Sequence, residues 1–482
     1  MLVFRRLGIL GLALLASCSG GGGSSYPLSL SLTPNPLTAS YYQYQTSTSV
    51  GLSATVTGSS NSSTFYVYVI DSAGTFVPGS ISVSSTGPNT YSTSLQTVAN
   101  RSVGVHSGTL QIKICGDSAC GSVLGASDLP YSVTVQQTPA ATGTHAYVTN
   151  YSDNTISAYN VLGNGALMPL DGSPFAAGEG PSAIAADPGG QYVYVANYGS
   201  GTLSAYSVGT DGSLAIVAGG PIDIGSQPGA IIVDPSGQYV YVVTNGGSAI
   251  LAYRLGAGGM LTPLQGSPFT VVPGGAGTVI GALAIDSGGP YLYAVGGLIH
   301  SASVLYASSI GADGSLAVLT ESPFVAPYTY QPSAIAVDSA LSYVYVADIY
   351  GHILANSIDG TGAVAATGVY SQTCCGNNIG AMIVDPSGKY LYVTETNLSA
   401  VVAFSIGLDG SLSEVGTGNV PNAFGGTGAM AVSPDGKFVY SIMGTNNVGA
   451  FSVGADGSMT TIGGSPFAAG NGSRSIAVIK VQ

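Results

Sequence analysis

The stretch DPGGQYVYVAN, residues 187–197, decides the fold because the chain repeats it with variations. Its central tyrosine lies in a short strand of β-branched and aromatic residues. Counterparts of Tyr194 recur every 47 to 52 residues. We call these residues the register tyrosines, and they are Tyr147, Tyr194, Tyr241, Tyr293, Tyr345, Tyr392 and Tyr440. A repeat of this length, with several short strands in each unit, predicts a β-propeller in which each repeat forms one blade.

A tight turn and a second apolar run precede the tyrosine strands. The turns begin seven residues before six of the tyrosines, at Asp187, Asp234, Asp286, Asp338, Asp385 and Ser433. Asp, Pro and Gly at these positions favour a turn between two strands. The run before each turn, such as AIAV at 334–337, lacks polar alternation, which is typical of a strand buried on both faces.

The first repeat has no such apolar run before its tyrosine strand. The missing pattern stands at the end of the chain, in SIAV at 475–478. We therefore predict that the C-terminal strand completes the first blade and closes the ring, which removes exposed strand edges. The predicted fold is all-β, with a seven-bladed β-propeller over residues 144–482.

Residues 26–137 lack the repeat and consist of short strand-like runs separated by turn residues. This pattern predicts an immunoglobulin-like β-sandwich, joined to the propeller by a linker at 138–143. Cys115 and Cys120 flank a short turn and are predicted to form a disulfide; half of a zinc site is the alternative. The adjacent Cys374 and Cys375 are predicted to form a vicinal disulfide.

The N-terminus predicts an exported protein. In residues 1–18, two arginines precede an apolar run that is too short to span a bilayer. The sequence LASC at 15–18 resembles a bacterial lipobox, which implies cleavage before Cys18 and attachment of lipid there. Residues 19–25 would then be a flexible tether. The expected partner is a membrane, through the lipid at Cys18, and the expected location is the cell envelope, at the outer membrane or cell surface.

The charge argues against nucleic acid as a partner. Only nine residues are Lys or Arg, and the net charge is −13, so no broad basic face can form. The chain has no Trp, which disfavours a propeller that stacks a redox cofactor on Trp motifs. We predict no cofactor and a monomer.

The strings HAYVTN (145–150), YVYVAN (192–197) and DPSGQYVYV (234–242) resemble the YVTN-type repeat. That group of seven-bladed propellers includes 6-phosphogluconolactonase and lactonizing enzymes, and the resemblance covers 144–482. It implies hydrolysis of lactones by a Pro-Arg-His sequence that enters the inner strand. Here the His position holds Ala183, Ala230, Ala282, Ala334, Ala381, Ala429 and Ser475. An alanine side chain can neither transfer a proton nor supply a charge. At the arginine position of the Pro-Arg-His sequence, only Arg474 is an arginine.

The longer loops follow each tyrosine strand and lead into each inner strand, so both sets lie on one face, which we call the mouth. Variable loops on a rigid scaffold commonly carry function. Residues at the end of the tyrosine strands either start the next turn or face a ligand there; they are Asn150, Asn197, Thr244, Gly296, Asp348, Glu395 and Met443. A metal site made by Asp348, Glu395, His352 and His300 is an alternative to scattered loop residues. No fixed-spacing pair such as HxH is present, and we predict no metal.

Two hypotheses of function follow. The first is a surface-anchored, non-enzymatic module whose mouth, with Asn150, Asn197, Asp348, Glu395 and Arg474, binds a polysaccharide or a protein. The second is a divergent hydrolase of sugar lactones. In that enzyme Arg474 would polarise the carbonyl, and Asp348, Glu395 or His352 would act as the base. The alanines of the inner strands favour the first hypothesis, and the family resemblance favours the second.

Overall fold

The computed structural model describes residues 9–15, 29–42, 49–57, 64–71, 76, 84–87, 90–97, 104–115, 123–136 and 141–481. Within the last range it leaves out 226, 245–248, 273–278, 288–289, 298–301, 331, 373–378, 396–399 and 420–427. The predictions for Cys18, Cys120, Cys374, Cys375, His300 and the side chain of Cys115 lie outside the described residues. The chain divides into two units, Met1–Pro139 and Ala140–Gln482. No helix in the described ranges is long and apolar enough to cross a membrane.

The first unit consists of two β-sheets. One sheet has five strands in the spatial order Ile9–Leu15, Thr64–Asp71, Gly104–Cys115, Val123–Gln136 and Leu37–Tyr42. The other has four strands in the order Ser29–Thr33, Ser49–Thr57, Thr90–Gln96 and Ser84–Gly87. The strand Leu37–Tyr42 runs parallel to its neighbour, whereas the other pairs in both sheets are antiparallel.

The core of this unit includes Leu110, Ile112 and Leu129, which are buried on the two longest strands. The Tyr131 hydroxyl donates a hydrogen bond to Asp71 Oδ1 at 2.9 Å, which satisfies a polar group at the edge of this core. The immunoglobulin-like assignment stays a prediction. The strand Ile9–Leu15 lies within the predicted signal segment, and the signal interpretation also stays a prediction.

The second unit is the predicted propeller. It has seven sheets, which we number as blades 1 to 7 in the order of their register tyrosines. From the axis outward, each blade has an inner strand, a tyrosine strand, a third strand and an outer strand, all antiparallel. The inner strands of blades 1 to 7 are Ser473–Lys480, Pro181–Ala186, Pro228–Val233, Val279–Asp286, Pro332–Asp338, Ile379–Val384 and Met430–Val432.

The other three strands follow in each blade. The tyrosine strands are Ala141–Asn150, Tyr192–Asn197, Tyr239–Thr244, Tyr291–Gly297, Tyr343–Asp348, Tyr390–Glu395 and Phe438–Met443. The third strands are Thr155–Leu162, Thr202–Val208, Ala249–Leu255, Ala302–Ile310, His352–Ile358, Ala400–Ile406 and Asn447–Val453. The outer strands are Leu167–Pro169, Leu214–Ile216, Leu261–Pro263, Leu316–Val318, Val364–Gln372, Leu412–Asn419 and Met459–Thr461.

Short segments also pair with the third strand in five blades, beside the outer strand. They are Phe175–Ala176, Ile222–Asp223, Phe269–Thr270, Phe324–Tyr330 and Phe467–Ala468. A 3₁₀ turn, Ala257–Gly259, precedes the outer strand of blade 3.

The ring closes as predicted. The C-terminal strand pairs antiparallel with the first tyrosine strand, so that Ala477 lies opposite Tyr147. Each inner strand also contacts the inner strand of the next blade, including the contact between blades 7 and 1. One boundary was wrong: the linker predicted at 138–143 ends earlier, because Ala141 already pairs with Leu162. A bulge between Ala141 and Thr144 lets the strand begin there.

The register tyrosines explain why the blades stay together. All seven are fully buried, and five donate a hydrogen bond from the hydroxyl to a glycine carbonyl in the outer turn of the next blade. These bonds, 2.8 to 3.2 Å long, join Tyr147 to Gly212, Tyr241 to Gly314, Tyr293 to Gly362, Tyr345 to Gly410 and Tyr440 to Gly165. Burial raises the pKa of these hydroxyls, so they stay protonated donors.

A second aromatic side chain contributes to each joint, by which we mean the contact between two neighbouring blades. The residue two positions before the register tyrosine packs on the same glycine, as Tyr343 does on Gly410. Gly410 has φ 77°, and a Cβ there would lie 2.6 Å from the Tyr343 ring, so both the backbone and the contact require glycine. Blade 1 has His145 at this position, on Gly212.

The turns between inner and tyrosine strands are closed by the predicted aspartates. Asp234 Oδ1 accepts hydrogen bonds from the backbone N–H groups of Gln238 and Tyr239, at 2.8 and 2.6 Å. Asp187 and Asp385 accept equivalent bonds. These turns lie at the opposite end of the strands from the mouth loops, so this face of the disc is structural.

Candidate functional site

The two sets of mouth loops meet in blades 1 and 2. After the tyrosine strand of blade 1, Tyr151 N donates to Gly472 O at 2.9 Å, in the segment that enters the inner strand. In blade 2, Tyr198 N donates to Gly180 O at the same distance. The backbone of one loop therefore holds the other, which positions the side chains that follow the tyrosine strands.

Asn150 closes blade 1 from within. Its Nδ2 donates to Thr155 Oγ1 at 3.0 Å and to Ser157 Oγ at 2.8 Å. Its Oδ1 accepts from Gly470 N at 3.1 Å and from Ser473 Oγ at 3.3 Å, and the side chain is fully buried. The amide is thus used in joining the tyrosine strand to the third and closing strands, and it does not face a ligand.

Asn197 makes the same amide-nitrogen bonds in blade 2, but its Oδ1 has no hydrogen-bond partner among the described residues. Its Nδ2 donates to Thr202 Oγ1 at 3.1 Å and to Ser204 Oγ at 2.8 Å, and the side chain is fully buried. The Asn, Thr and Ser of each blade are spaced by five and by seven residues. Both asparagines are therefore structural, and the assignment of Asn150 and Asn197 to a ligand-binding mouth does not fit their burial.

Blade 5 has Asp348 at the same position and lacks the two hydroxyl partners. The residues five and seven positions later are Ile353 and Ala355, both apolar and buried. The carboxylate is paired instead within its own turn. Asp348 Oδ1 accepts from Tyr350 N at 2.9 Å and from His352 N at 3.0 Å, and Oδ2 lies 2.7 Å from His352 Nδ1.

The Asp348–His352 pair, which we call the dyad, combines a buried carboxylate with a partly exposed imidazole. The Asp348 side chain is fully buried, whereas the His352 side chain is 21% exposed. Gly351, with φ 87°, gives the turn its path between the two residues. A carboxylate on Nδ1 fixes the orientation and the tautomer of the ring, which is the arrangement of a general base.

Glu395 occupies the same position in blade 6 and is enclosed. The side chain is 1% exposed, and among the described residues Oε1 has no hydrogen-bond partner. The residues five and seven positions later are Ala400 and Val402, both buried, so the hydroxyl partners are missing here as well. Glu395 is therefore a buried carboxylate behind the surface of the mouth.

Arg474 lies in the closing strand and forms a cluster with two tyrosines. Its guanidinium carbon is 3.9 Å from the centroid of the Tyr151 ring, which is a cation–π contact. The Tyr151 and Tyr198 rings are 6.3 Å apart and tilted by 49°. We call Tyr151, Tyr198 and Arg474 the tyrosine–arginine cluster. Arg474 is exposed and both tyrosines are half-buried, so the cluster presents aromatic rings and a positive charge at the mouth.

The structure separates residues that the hydrolase hypothesis had combined. Asp348 and His352 belong to blade 5, whereas Arg474 belongs to blade 1, three blades away around the ring. A small lactone would not be expected to contact both places. In the described part of the chain, no three His, Cys, Asp or Glu side chains form a group that could hold a metal ion.

The comparisons with known proteins agree with this architecture. A family model described as "Lactonase, 7-bladed beta-propeller" matches residues 131–417, which is more than half of the chain. The chain belongs to this lactonase family of seven-bladed propellers. No curated protein sequence matches the chain.

Solved structures of the lactonase type share the fold. A putative 6-phosphogluconolactonase from Bacteroides fragilis has a TM-score of 0.57 and 19% identity, covering 70% of this chain and 98% of that chain. The periplasmic gluconolactonase PpgL of Pseudomonas aeruginosa has a TM-score of 0.58 and 16% identity, covering 70% of this chain and 99% of that chain. At these identities the likeness shows the fold alone.

Within this lactonase-family propeller, the inner strands carry small side chains at the mouth. The position of Arg474 holds Ser182, Gly229, Gly281, Ser333, Gly380 and Gly428 in the other blades. The alanines that follow offer only backbone groups. Any acid–base chemistry must therefore come from residues outside this column, and the dyad is such a pair.

The sequence did not identify three aromatic residues of the mouth. Tyr151 and Tyr198 each directly follow the asparagine of their blade, and Tyr350 follows Asp348 by two residues. Tyr350 is 52% exposed, and its ring centroid is 6.4 Å from that of His352. A search of the repeat alignment for aromatic residues after the tyrosine strand would have found them.

Proposed function

We propose that this protein is a lactone hydrolase of the lactonase family whose general base is His352, oriented by Asp348. The observation that supports the proposal is the 2.7 Å contact between His352 Nδ1 and the fully buried Asp348 carboxylate, at the mouth of the propeller. Family membership supports a lactone as the substrate, and the names of the structural neighbours suggest a sugar lactone.

The proposed chemistry needs one proton acceptor and one water. The imidazole tautomer that donates Nδ1–H to Asp348 carries its lone pair on Nε2. Nε2 would take a proton from the water that attacks the lactone carbonyl, and Asp348 would stabilise the resulting imidazolium. Opening of the ring then transfers a proton from the imidazolium to the leaving alkoxide, which regenerates the neutral histidine.

The test is hydrolysis of glucono-δ-lactone and 6-phosphogluconolactone by the full chain, with His352→Gln and Asp348→Asn beside the wild type. We expect turnover above the spontaneous rate, reduced at least about a hundredfold by His352→Gln, since general bases contribute on that order. Asp456→Asn is the matched control, because it removes one carboxylate on the opposite face. Turnover that survives both dyad substitutions would refute this proposal.

A second candidate is a non-catalytic module that binds polysaccharide, and the tyrosine–arginine cluster favours it. Flat aromatic rings beside a cation can stack on sugar rings and donate hydrogen bonds to their hydroxyl groups. We expect Tyr151→Ala and Arg474→Ala to abolish retention on a glycan array. Retention unaffected by either change would exclude the cluster as a glycan site.

We further propose that the protein is exported and anchored to the cell envelope by lipid at Cys18, as the LASC sequence suggests. The test is incorporation of labelled palmitate in a bacterial host. Labelling lost in Cys18→Ala would support the anchor, and labelling of that variant equal to wild type would refute it.

A further inference from the structure

A pocket of about 270 Å³ lies between blades 4 and 5 and is partly open to solvent. Pro323 and Phe324 of blade 4 form one side, and Val346 and Val364 of blade 5 are on the other. Its single polar lining residue is Asn356, in the third strand of blade 5. The dyad and the tyrosine–arginine cluster do not line it, so the pocket is separate from the proposed active site.

The pocket lies where most other blades have an aromatic ring. In each third strand, one alanine lies opposite the register tyrosine, and the next residue points toward the preceding blade. That residue is aromatic in five blades: Tyr159, Tyr206, Tyr253, Phe404 and Phe451. The Tyr159 hydroxyl donates to Ala468 O of blade 7 at 2.6 Å, and the Tyr206 hydroxyl to Ala176 O of blade 1 at 3.0 Å. The ring therefore fills the joint with the preceding blade.

Blade 4 has Ser308 at this position but keeps a ring on the same face. Tyr306, two residues earlier, is buried in one cluster with Phe269 of blade 3. Blade 5 has no aromatic residue at either of these two positions, which hold Leu354 and Asn356. The joint between blades 4 and 5 thus lacks one aromatic ring, and the pocket is the resulting space.

Asn356 gives this space a directed polar group. The side chain is 5% exposed, and its Nδ2 donates to Val344 O at 3.2 Å and to Leu354 O at 3.3 Å. Both bonds use the amide nitrogen and Asn356 lines the pocket, so Oδ1 is the acceptor that this side chain can offer a ligand. An amide oxygen in an apolar surrounding strongly favours a ligand that offers one hydroxyl or N–H donor.

We propose that this pocket binds a small phenol, with the aromatic ring in the place of the missing tyrosine ring and the hydroxyl donating to Asn356 Oδ1. Apolar cavities smaller than this one bind benzene-sized molecules. Phe324 offers the ring the same kind of surface that Phe467 of blade 7 offers Tyr159 of blade 1. The ligand class is therefore a single ring with one hydroxyl.

The test is binding of p-cresol, which is the tyrosine side chain as a free molecule, to the full chain by calorimetry. We expect one site in the wild type and none in Asn356→Tyr, whose own ring fills the space. Ser357→Tyr is the matched control, because residue 357 lies on the opposite face of the same strand, and it should bind as the wild type does. Ala366→Phe should block the rim of the pocket, and it replaces Asn356→Tyr in this test if that variant does not fold.

The hydroxyl contact has a test of its own. Asn356→Leu removes the acceptor, so a preference for p-cresol over toluene of about five- to tenfold, as expected for one hydrogen bond, should disappear. No p-cresol binding by the wild type, or wild-type affinity in a folded Asn356→Tyr or Ala366→Phe variant, would overturn the proposal. Equal preference in Asn356→Leu and wild type would overturn the assigned hydrogen bond.

Discussion

Blades 1 and 5 have the same four strands and the same buried register tyrosine, yet they differ at the end of the tyrosine strand. In blade 1, the Asn150 amide is bonded to Thr155, Ser157, Gly470 and Ser473. In blade 5, Asp348 has apolar residues where those hydroxyls would be, and it holds an imidazole instead.

The difference shows that one position of a repeat can be structural or chemical, according to its partners. Where threonine and serine follow at the right spacing, the amide nitrogen bonds both hydroxyls and the side chain is buried. Where they are replaced by Ile353 and Ala355, a buried carboxylate pairs within its own turn with a partly exposed imidazole. Departures from the repeat are therefore the places to look for function in this chain.

The largest test of this comparison removes the closing strand, which only blade 1 takes from the far end of the chain. Deleting 473–482 leaves the first tyrosine strand without its inner partner and opens the ring. We expect no cooperative thermal unfolding of the propeller in circular dichroism and rapid proteolysis. Deletion of Gln482 alone is the control. A truncated chain that melts at the wild-type temperature would show that closure is dispensable.

The second test exchanges the two side chains. Asn150→Asp buries a carboxylate in a fully enclosed site, and we expect a loss of about 2–4 kcal/mol at neutral pH. Burial raises the folded-state pKa of such a group, so the loss should grow as pH rises through the unfolded-state value. Asp348→Asn keeps an oxygen acceptor for Tyr350 N and His352 N, and should cost less than about 1 kcal/mol.

Urea unfolding at pH 4 and pH 8 measures both variants of this exchange. Equal losses of unfolding free energy for the two substitutions would contradict the assigned difference between the two positions. A loss for Asn150→Asp that does not change with pH would contradict it as well.

The third test concerns the joints between blades. Tyr147→Phe removes a buried hydroxyl that donates to Gly212 O at 2.8 Å, and should cost about 1 kcal/mol. Tyr194 in blade 2 is the matched control, because its buried hydroxyl has no hydrogen-bond partner among the described residues. Tyr194→Phe should be neutral or slightly stabilising in the same urea titration. The reverse order of the two effects would contradict the assigned bond.

The smallest effect is expected from His145, which packs on the outer turn of the next blade as Tyr343 does in blade 5. Burial lowers the pKa of His145, and this outweighs the nearby Asp211 carboxylate and Asn160, which act in the opposite direction. The folded state thus favours the neutral imidazole. Below the ordinary value of 6.5, the unfolded chain binds a proton more readily, and stability falls as pH decreases.

His145→Tyr should reduce that loss. The measurement is the difference in unfolding free energy between pH 7.5 and pH 5 for the variant and the wild type, in which titrating groups common to both cancel. An unchanged difference would exclude His145 as a source of acid sensitivity.

Much of the fold could be predicted because its determinants are local. The sequence shows the turn aspartates, the register tyrosines and the absence of an inner strand from the first repeat. These features predict the turns, the repeating strands and the closure of the ring. The strands Leu37–Tyr42 and Ser84–Gly87 are hard to recognise from sequence, because short runs rich in Ser and Thr resemble turns. The start of the propeller was placed too late, because a bulged strand with a glycine resembles a linker.

The candidate site was predictable only in part. Asp348 and His352 were considered as ligands of one metal or as alternative bases, but not as a hydrogen-bonded pair, because their contact depends on the turn at Gly351. The burial of Asn150 and Asn197 could have been inferred from the threonine and serine that follow. The contact of Arg474 with Tyr151 depends on ring closure, which brings residues from the two ends of the propeller together.

The hydroxyl bonds of the five bonded register tyrosines all run in one direction, from the tyrosine strand to the outer turn of the blade that follows. At each of these five joints, one blade supplies the donor and the next blade supplies the acceptor. Where this bond is repeated, one blade could replace another at the joint without creating a new kind of hydrogen bond. The ring can then diverge loop by loop at its mouth while the joints that hold it together stay the same.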